Sequence, residues 1–420
     1  MLGKYVTLPS VLRAALLGAA LFSILEITLG TESIAALRPV REDAHTLDGI
    51  TLGIRHYSRP GAVPVLLLHG FTQNDRCWDP QDSQYSFAQF LYDEGFDVWV
   101  GNLRGAGTPD FRSEAPAGPE HWTVDEHASY DLPALLETVQ SKTHQAPFIV
   151  AHSMGAWVVE GYLAGVHFDE HRHLIPSPTL GRSRQESLRG VATIGGLYTL
   201  TWEHRLADAI SHPILTEEAY FRSNYELELL AEVKFLYQII PYWNRVPLGW
   251  VRNALNLPLE RIPVVGNRLR ALYQGLQTEI IESPMMSMFL NPKNEDPNVL
   301  RLHLEDGLED MPPRLLEQIG NAYTAGKTSS YYHIERNAEV YDYGDIRPHL
   351  DLPMLFIAGG RDRLASGIGI YQEGFLKTQS TDKQFIWAED YGHMDILMGY
   401  HAKKDVMMPV ARWLKEHIEN

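Results

Sequence analysis

The chain of 420 residues has one cysteine, Cys77, so no disulfide can close within it. It has no Asn-x-Ser/Thr triplet, which argues against a glycosylated secretory protein. Basic charge is scarce: 36 Lys and Arg stand against 53 Asp and Glu, a net charge of −17. Nucleic-acid binders cluster Lys and Arg against phosphate, so this balance speaks against nucleic acid as a partner. It also offers no electrostatic attraction to an anionic membrane. No internal repeat or low-complexity tract is visible. What is present, 45% apolar and 21% charged residues, is the composition of a globular protein long enough for two or three domains.

One long apolar block lies near the start, at residues 14–25, behind Lys4 and Arg13. Basic residues ahead of such a block resemble a secretory signal, and Thr28-x-Gly30 or Ser33-x-Ala35 could be a cleavage site. Continued to Leu29, the block nears the length of a membrane helix, with Arg13 and Glu26 counting against it. We expect residues 1–36 to export or anchor the chain through residues 11–30, which would allow contact with a lipid interface. An amphipathic helix packed on the domain is the alternative.

From residue 50 the pattern is rhythmic. An alternating run at 50–57 reads as a half-exposed strand. Continuous apolar runs follow at 63–68, 96–100, 148–151 and 191–194, each the signature of a strand covered on both faces. Helical patterns lie between them. One occupies 85–94, and another opens with the capping box Thr123-x-x-Glu126 and runs to about 140, with Pro133 expected to bend it. Such alternation makes a mostly parallel sheet with helices on both faces. The rhythm breaks after Gly196. About 150 residues carry helical periodicity, as at 226–240, 269–281 and 313–325, before strands resume at 354–358 and 384–388 and a last helix at 405–418. This divides the chain into a core, 37–197 and 350–420, and a helical cap, 198–349, inserted before the strand at 354–358. Cap segments such as 235–243 would offer an apolar wall, and ordinary helix packing explains them equally well.

In open α/β sheets chemistry sits at the carboxyl ends of the strands. Four exits are distinctive. One gives His69-Gly70-Phe71, and another gives Ala151-His152-Ser153-Met154-Gly155, a serine with small residues two before and two after. A third gives Gly359-Gly360-Arg361-Asp362, and the last gives Glu389-Asp390-Tyr391-Gly392-His393. The serine exit has the form of the nucleophile elbow of α/β-hydrolases, and Ser…Asp…His is their chain order. Ser153 would attack, His393 would carry its proton, and Asp362 would orient the imidazole, with Glu389 and Asp390 as substitute acids. The amides of Phe71 and Met154 would bind the oxyanion. Ala151 and Gly155 would provide space, Asp395 would support the site or touch the cap, and His152 and Trp157 would pack beside the elbow. No cofactor is called for. Each of these residues also has an ordinary reading: a buried serine, a turn carboxylate, a packed imidazole. A rival motif, His167-x-x-Glu170-His171 with His173 nearby, matches an inverted zinc-hydrolase pattern if it lies on a helix; its ordinary reading is a polar excursion after the elbow helix.

Further segments resemble the acid lipases, the gastric, lysosomal and related cholesteryl-ester hydrolases. They are Leu67-Leu68-His69-Gly70-Phe71, Phe96-Asp97-Val98-Trp99-Val100-Gly101-Asn102-Leu103-Arg104-Gly105, Asp125-Glu126 with Tyr130-Asp131-Leu132-Pro133-Ala134, and Tyr391-Gly392-His393-Met394-Asp395 with Gly399. The resemblance covers roughly residues 45–197 and 340–420. It departs at the elbow, where Ala151 and Met154 replace the family's Gly and Gln, and little of the insertion is recognisable. A bacterial relative is expected from the missing cysteines and sequons. The resemblance implies an α/β-hydrolase fold and a serine carboxylester hydrolase acting on a small-molecule or lipid ester. Acyl transfer or thioester hydrolysis would use the same scaffold, and a non-catalytic binding protein is the reading outside enzymology. Oligomeric state is open.

Overall fold

The computed structural model describes residues 38–116, 122–199, 290–310, 312–334 and 339–418. Contacts divide the chain between Pro39 and Val40, and the sheet and its helices belong to the second unit. The apolar block at 14–25 and the expected helices at 226–240 and 269–281, with the wall at 235–243, lie outside the described residues. No helix among the described residues is long and apolar enough to cross a membrane.

Strand β1 (Val40–His45) pairs antiparallel with β2 (Thr51–Tyr57). The sequence carries no strand signal at β1, because Val-Arg-Glu-Asp-Ala-His buries only Ala44. It is an edge strand, and charge on an edge discourages pairing with other chains. β2 differs from the half-exposed expectation, since every residue after Thr51 is buried. Its polar residues have buried partners. Arg55 Nε donates to Asp75 at 2.8 Å, while His56 stacks on Trp99 at 3.5 Å and hydrogen-bonds Asp97 at 2.9 Å.

The continuous apolar runs become β3 (Pro64–Leu68), β4 (Asp97–Gly101), β5 (Phe148–His152), β6 (Gly190–Ile194) and β7 (Met354–Gly359), all buried along their length. β8 (Lys383–Ala388) forms the far edge. The order is β1-β2-β4-β3-β5-β6-β7-β8. β2 runs antiparallel to β4, and the remaining pairs from β4 to β8 are parallel. The chain moves from β3 outward to β4, then returns to the other side of β3 as β5. The carboxyl ends of β3 and β5 therefore border the point where the winding reverses, which opens a crevice.

Helix α1 (Phe87–Asp93) lies between β3 and β4 in the chain. The next helical segment starts at the expected capping box. The Thr123 amide donates to Glu126 Oε2 at 2.9 Å, and the Asp125 amide donates to Thr123 Oγ1 at 3.1 Å. The expected bend takes the form of a π-turn at His127–Asp131, which leads into α2 (Leu132–Thr143). Pro133 has no N–H to give and crowds the carbonyl four residues back, so the wider turn falls just ahead of it. α3 (Met154–Leu163) follows the serine, and α4 (Pro178–Glu186) precedes β6. Leu66, Leu68, Ile149, Ala151, Leu135 and Trp157 belong to the main core cluster.

Between β6 and β7, the described residues contain α5 (Pro297–Asp306) and α6 (Pro313–Ala325), the second as expected. They also contain a two-stranded ribbon, Ser329–His333 with Val340–Asp342, where helix was expected. The run Ser-Ser-Tyr-Tyr-His is too short for its period to show, and the preference of Tyr for strands decides it. α7 (Met408–Glu416) closes the described chain after a π-turn at Lys403–Met407.

Candidate active site

β5 delivers Ser153 to the crevice in a conformation few residues adopt, φ 56° and ψ −124°. Such a backbone needs firm holding. The Ser153 amide donates to Ile194 O at 3.2 Å, and its carbonyl accepts from Ala156 at 3.0 Å and Leu197 at 3.1 Å. Small neighbours are a steric requirement. A Cβ on Gly155 would lie 2.9 Å from the Leu68 carbonyl oxygen, and one on Gly70 would lie 2.6 Å from Ser153 Cβ. Sequence reasoning assigns space to Ala151 and Gly155; Gly70 has the tighter contact with the serine itself.

Three strand exits converge here. His393 Nε2 is 2.7 Å from Ser153 Oγ, and His393 Nδ1 is 2.7 Å from Asp362 Oδ2. The other Asp362 oxygen accepts the amides of Leu364 at 2.9 Å and Ala365 at 2.8 Å. A carboxylate can only accept, so Nδ1 carries the proton and the Nε2 lone pair faces the serine hydroxyl. The substitute acids point elsewhere: Asp390 is exposed and pairs with Arg361 at 3.2 Å, and Glu389 accepts from Trp387 Nε1 at 2.7 Å.

Phe71 and Met154 border one small cavity of about 30 Å³, together with Gly70 and Thr72. Met154 opens α3, and amides of a first helical turn have no partner within the helix. The loop after β3 is held from below. Leu103 N donates to His69 Nε2 at 3.1 Å, so the other ring nitrogen is the one that donates to Gly70 O at 2.9 Å. Burial lowers the His69 pKa to about 4 and keeps the ring neutral. Gly70 N donates to Gln73 Oε1 at 3.1 Å. His152 does more than pack: its Nδ1 is 2.8 Å from Gln73 Oε1 and its Nε2 is 2.8 Å from the carbonyl oxygen of His393. Both partners are acceptors, so a neutral ring donates to one at a time. Burial and the adjacent His393 hold its pKa well below the ordinary value. Trp157 is packing, edge-on to Tyr343 at 6.4 Å.

Asp395 faces the inserted segment. It accepts from Asn291 N at 2.9 Å, Gly392 N at 3.0 Å and Asn294 Nδ2 at 2.9 Å. Burial nevertheless raises its pKa from 3.8 to about 6. The folded state then favours the protonated acid. Its stabilising contribution is full below pH about 4 and is lost as pH rises through about 6. Relative to Asp395→Asn, the wild type should lose on the order of 2 kcal/mol between pH 4 and pH 7. Urea unfolding of both proteins at each pH measures this, and a constant difference would contradict it.

The zinc motif does not form a helical face. His167 and Phe168 pair as a strand with Leu174 and Ile175. His171 is exposed beside Glu170, and His173 hydrogen-bonds Asp169 at 3.0 Å. No group of three potential metal ligands occurs among the described residues. Sequence reasoning missed Gln73, Asn74 and Glu309, all buried around the loop after β3. Gln73 and Asn74 lie just beyond the His69-Gly70-Phe71 motif, whereas Glu309 lies near none. The family segments at 96–105 and 130–134 hold each other, Arg104 Nε to Asp131 Oδ1 at 2.8 Å, and the first supports the loop after β3 through Leu103 and Asn102.

A family model described as the alpha/beta hydrolase family matches residues 65–403. Triacylglycerol lipase 2 of Arabidopsis thaliana is 34% identical over 393 residues, 89% of this chain and 84% of that protein. Human lysosomal acid lipase/cholesteryl ester hydrolase is 34% identical over 123 residues, 28% of this chain and 30% of that protein. Among solved structures, DcsB in complex with its substrate analogue covers 91% of this chain and 100% of its own, with a TM-score of 0.50 and 12% identity, a likeness of fold.

Proposed function

The chain belongs to the alpha/beta hydrolase family and is a serine ester hydrolase resembling the acid lipases, and we propose that it works through an acyl-enzyme on Ser153 and takes esters with an apolar acyl chain. The observation carrying this reading is the hydrogen-bonded order Asp362–His393–Ser153 at the winding reversal. Ser153 Oγ bonds to the ester carbonyl carbon as its proton passes to His393 Nε2. The carbonyl oxygen becomes negative and accepts from the amides of Phe71 and Met154. Collapse breaks the bond to the alcohol oxygen, which takes the proton from His393. Water then attacks the acyl-enzyme by the same route and releases the acid. Asp362 holds the Nδ1 proton throughout and stabilises the imidazolium.

An apolar acyl chain is favoured by the relatives' names, one a triacylglycerol lipase and one a cholesteryl ester hydrolase. Residues 198–349 are read as a cap over the strand ends, and the cap or the N-terminal segment as the part that meets a lipid surface. The test is a series of p-nitrophenyl esters from two to sixteen carbons. Burying methylenes stabilises the transition state, so kcat/KM should rise at least about tenfold from acetyl to octanoyl. A series that is flat or favours acetyl removes the apolar acyl reading.

A further inference from the structure

We propose that Glu309 positions the oxyanion amide of Phe71, by clamping Thr72 and Asn74 from the side of the inserted segment. The proposal rests on the reading of Phe71 and Met154 as oxyanion donors.

Thr72 directly follows Phe71 and has φ 58°. A β-branched residue in the left-handed region is strained, and such a conformation persists only where its surroundings impose it. The core does part of this. Gly70 N binds Gln73 Oε1 at 3.1 Å, and Asp75 N binds Asn102 Oδ1 at 2.8 Å. Residues 72 and 74 are held from the opposite side. The Glu309 amide donates to Thr72 O at 2.8 Å. Asn74 Nδ2 donates to Glu309 Oε1 at 2.7 Å and to Asp306 O at 2.8 Å. The same Glu309 oxygen accepts Gly107 N at 3.0 Å, and Arg112 NH1 lies 3.0 Å from the other.

Glu309 is buried, and burial raises its pKa despite Arg112. Sequestering a carboxylate costs more than an apolar residue would if packing were the only need. Here the carboxylate ties Asn74, in the loop that carries Phe71, to Gly107 and Arg112 beyond β4, while the amide of the same residue holds Thr72. Asp306 ends α5 and residues 307–309 follow it, within the insertion between β6 and β7. An oxyanion site held in this way depends on Asp306 and Glu309 as well as on the loop after β3 itself. Glu309 is thus a positioning residue, acting through Thr72 and Asn74.

The experiment compares wild type, Glu309→Ala, Glu309→Gln and Asn74→Ala on a p-nitrophenyl ester and on the matching thionoester, whose C=S sulfur is poorly served by donors placed for oxygen. Loss of one oxyanion donor costs about 100- to 1,000-fold, so a displaced one in Glu309→Ala should lower kcat by about 10- to 100-fold, with KM within about threefold. The ester-to-thionoester ratio should fall about tenfold, while Glu309→Gln, which keeps an oxygen for Asn74 and Gly107, retains at least about a third of kcat. Equal losses on ester and thionoester, an unchanged kcat, or a Gln variant as poor as Ala would overturn the proposal. If Glu309→Ala does not fold, the same fall in ratio is required of Asn74→Ala. Labelling of Ser153 in the wild type by a fluorophosphonate separates the two readings. A wild type that is not labelled breaks the acyl-enzyme reading, whereas a labelled wild type with an unchanged ratio in the variants overturns the clamp alone.

Discussion

Ser153→Ala should lower kcat for ester hydrolysis by on the order of a millionfold while leaving the fold intact. The large effect follows from the geometry. Ser153 Oγ is the atom that His393 Nε2 faces at 2.7 Å, and removing it leaves oxyanion donors with no attacking atom. The small structural effect follows from the same contacts. Alanine tolerates φ 56° no worse than serine, and the backbone bonds from residue 153 to Ile194, Ala156 and Leu197 do not involve the side chain. The loss is one hydrogen bond, about 1 kcal/mol net. Melting curves and single-turnover release of p-nitrophenolate check both halves. Residual activity above roughly one hundredth of wild type would place the nucleophile elsewhere.

The second large loss is expected for Asp362→Asn, about 10,000-fold in kcat by the logic of a mis-set tautomer. One Asp362 oxygen is committed to the amides of Leu364 and Ala365. An asparagine keeps its oxygen there and turns its NH2 toward His393 Nδ1. That nitrogen must then accept, the ring proton moves to Nε2, and the base faces Ser153 already protonated. The neighbouring acids offer no rescue, since Asp390 pairs with Arg361 and Glu389 with Trp387. Asp390→Asn, an exposed change, should alter kcat by less than about twofold. Steady-state kinetics of the two variants decide the matter; a loss under about tenfold for Asp362→Asn would mean that another acid orients His393.

The legible part of this site was local. Ser153, Asp362 and His393 could be named because each ends or follows a short apolar run, and a buried parallel strand announces itself by that run alone. The capping box at Thr123 was legible for the same reason, as its two hydrogen bonds close within four residues. β1 was not, because its pairing with β2 supplies what its charged sequence lacks. The hairpin carrying His167 was not legible either, because four spaced residues fit a helix face or a strand pair equally well.

By itself the sequence determined the alternation of strands and helices, the break after Gly196 and the order serine, acid, histidine, since period and turn chemistry act over a few neighbouring residues. Only the tertiary structure decided which loops meet. Ser153 and His393 are 240 residues apart, and Asn74 and Glu309 are 235 apart. The first pairing follows from the strand order β4-β3-β5-β6-β7-β8, which brings distant exits to the same end of the sheet, and the second from residues 306–309 of the insertion meeting the loop after β3. A buried carboxylate takes its partners from whatever the fold assembles there, and no spacing along the chain encodes such a choice.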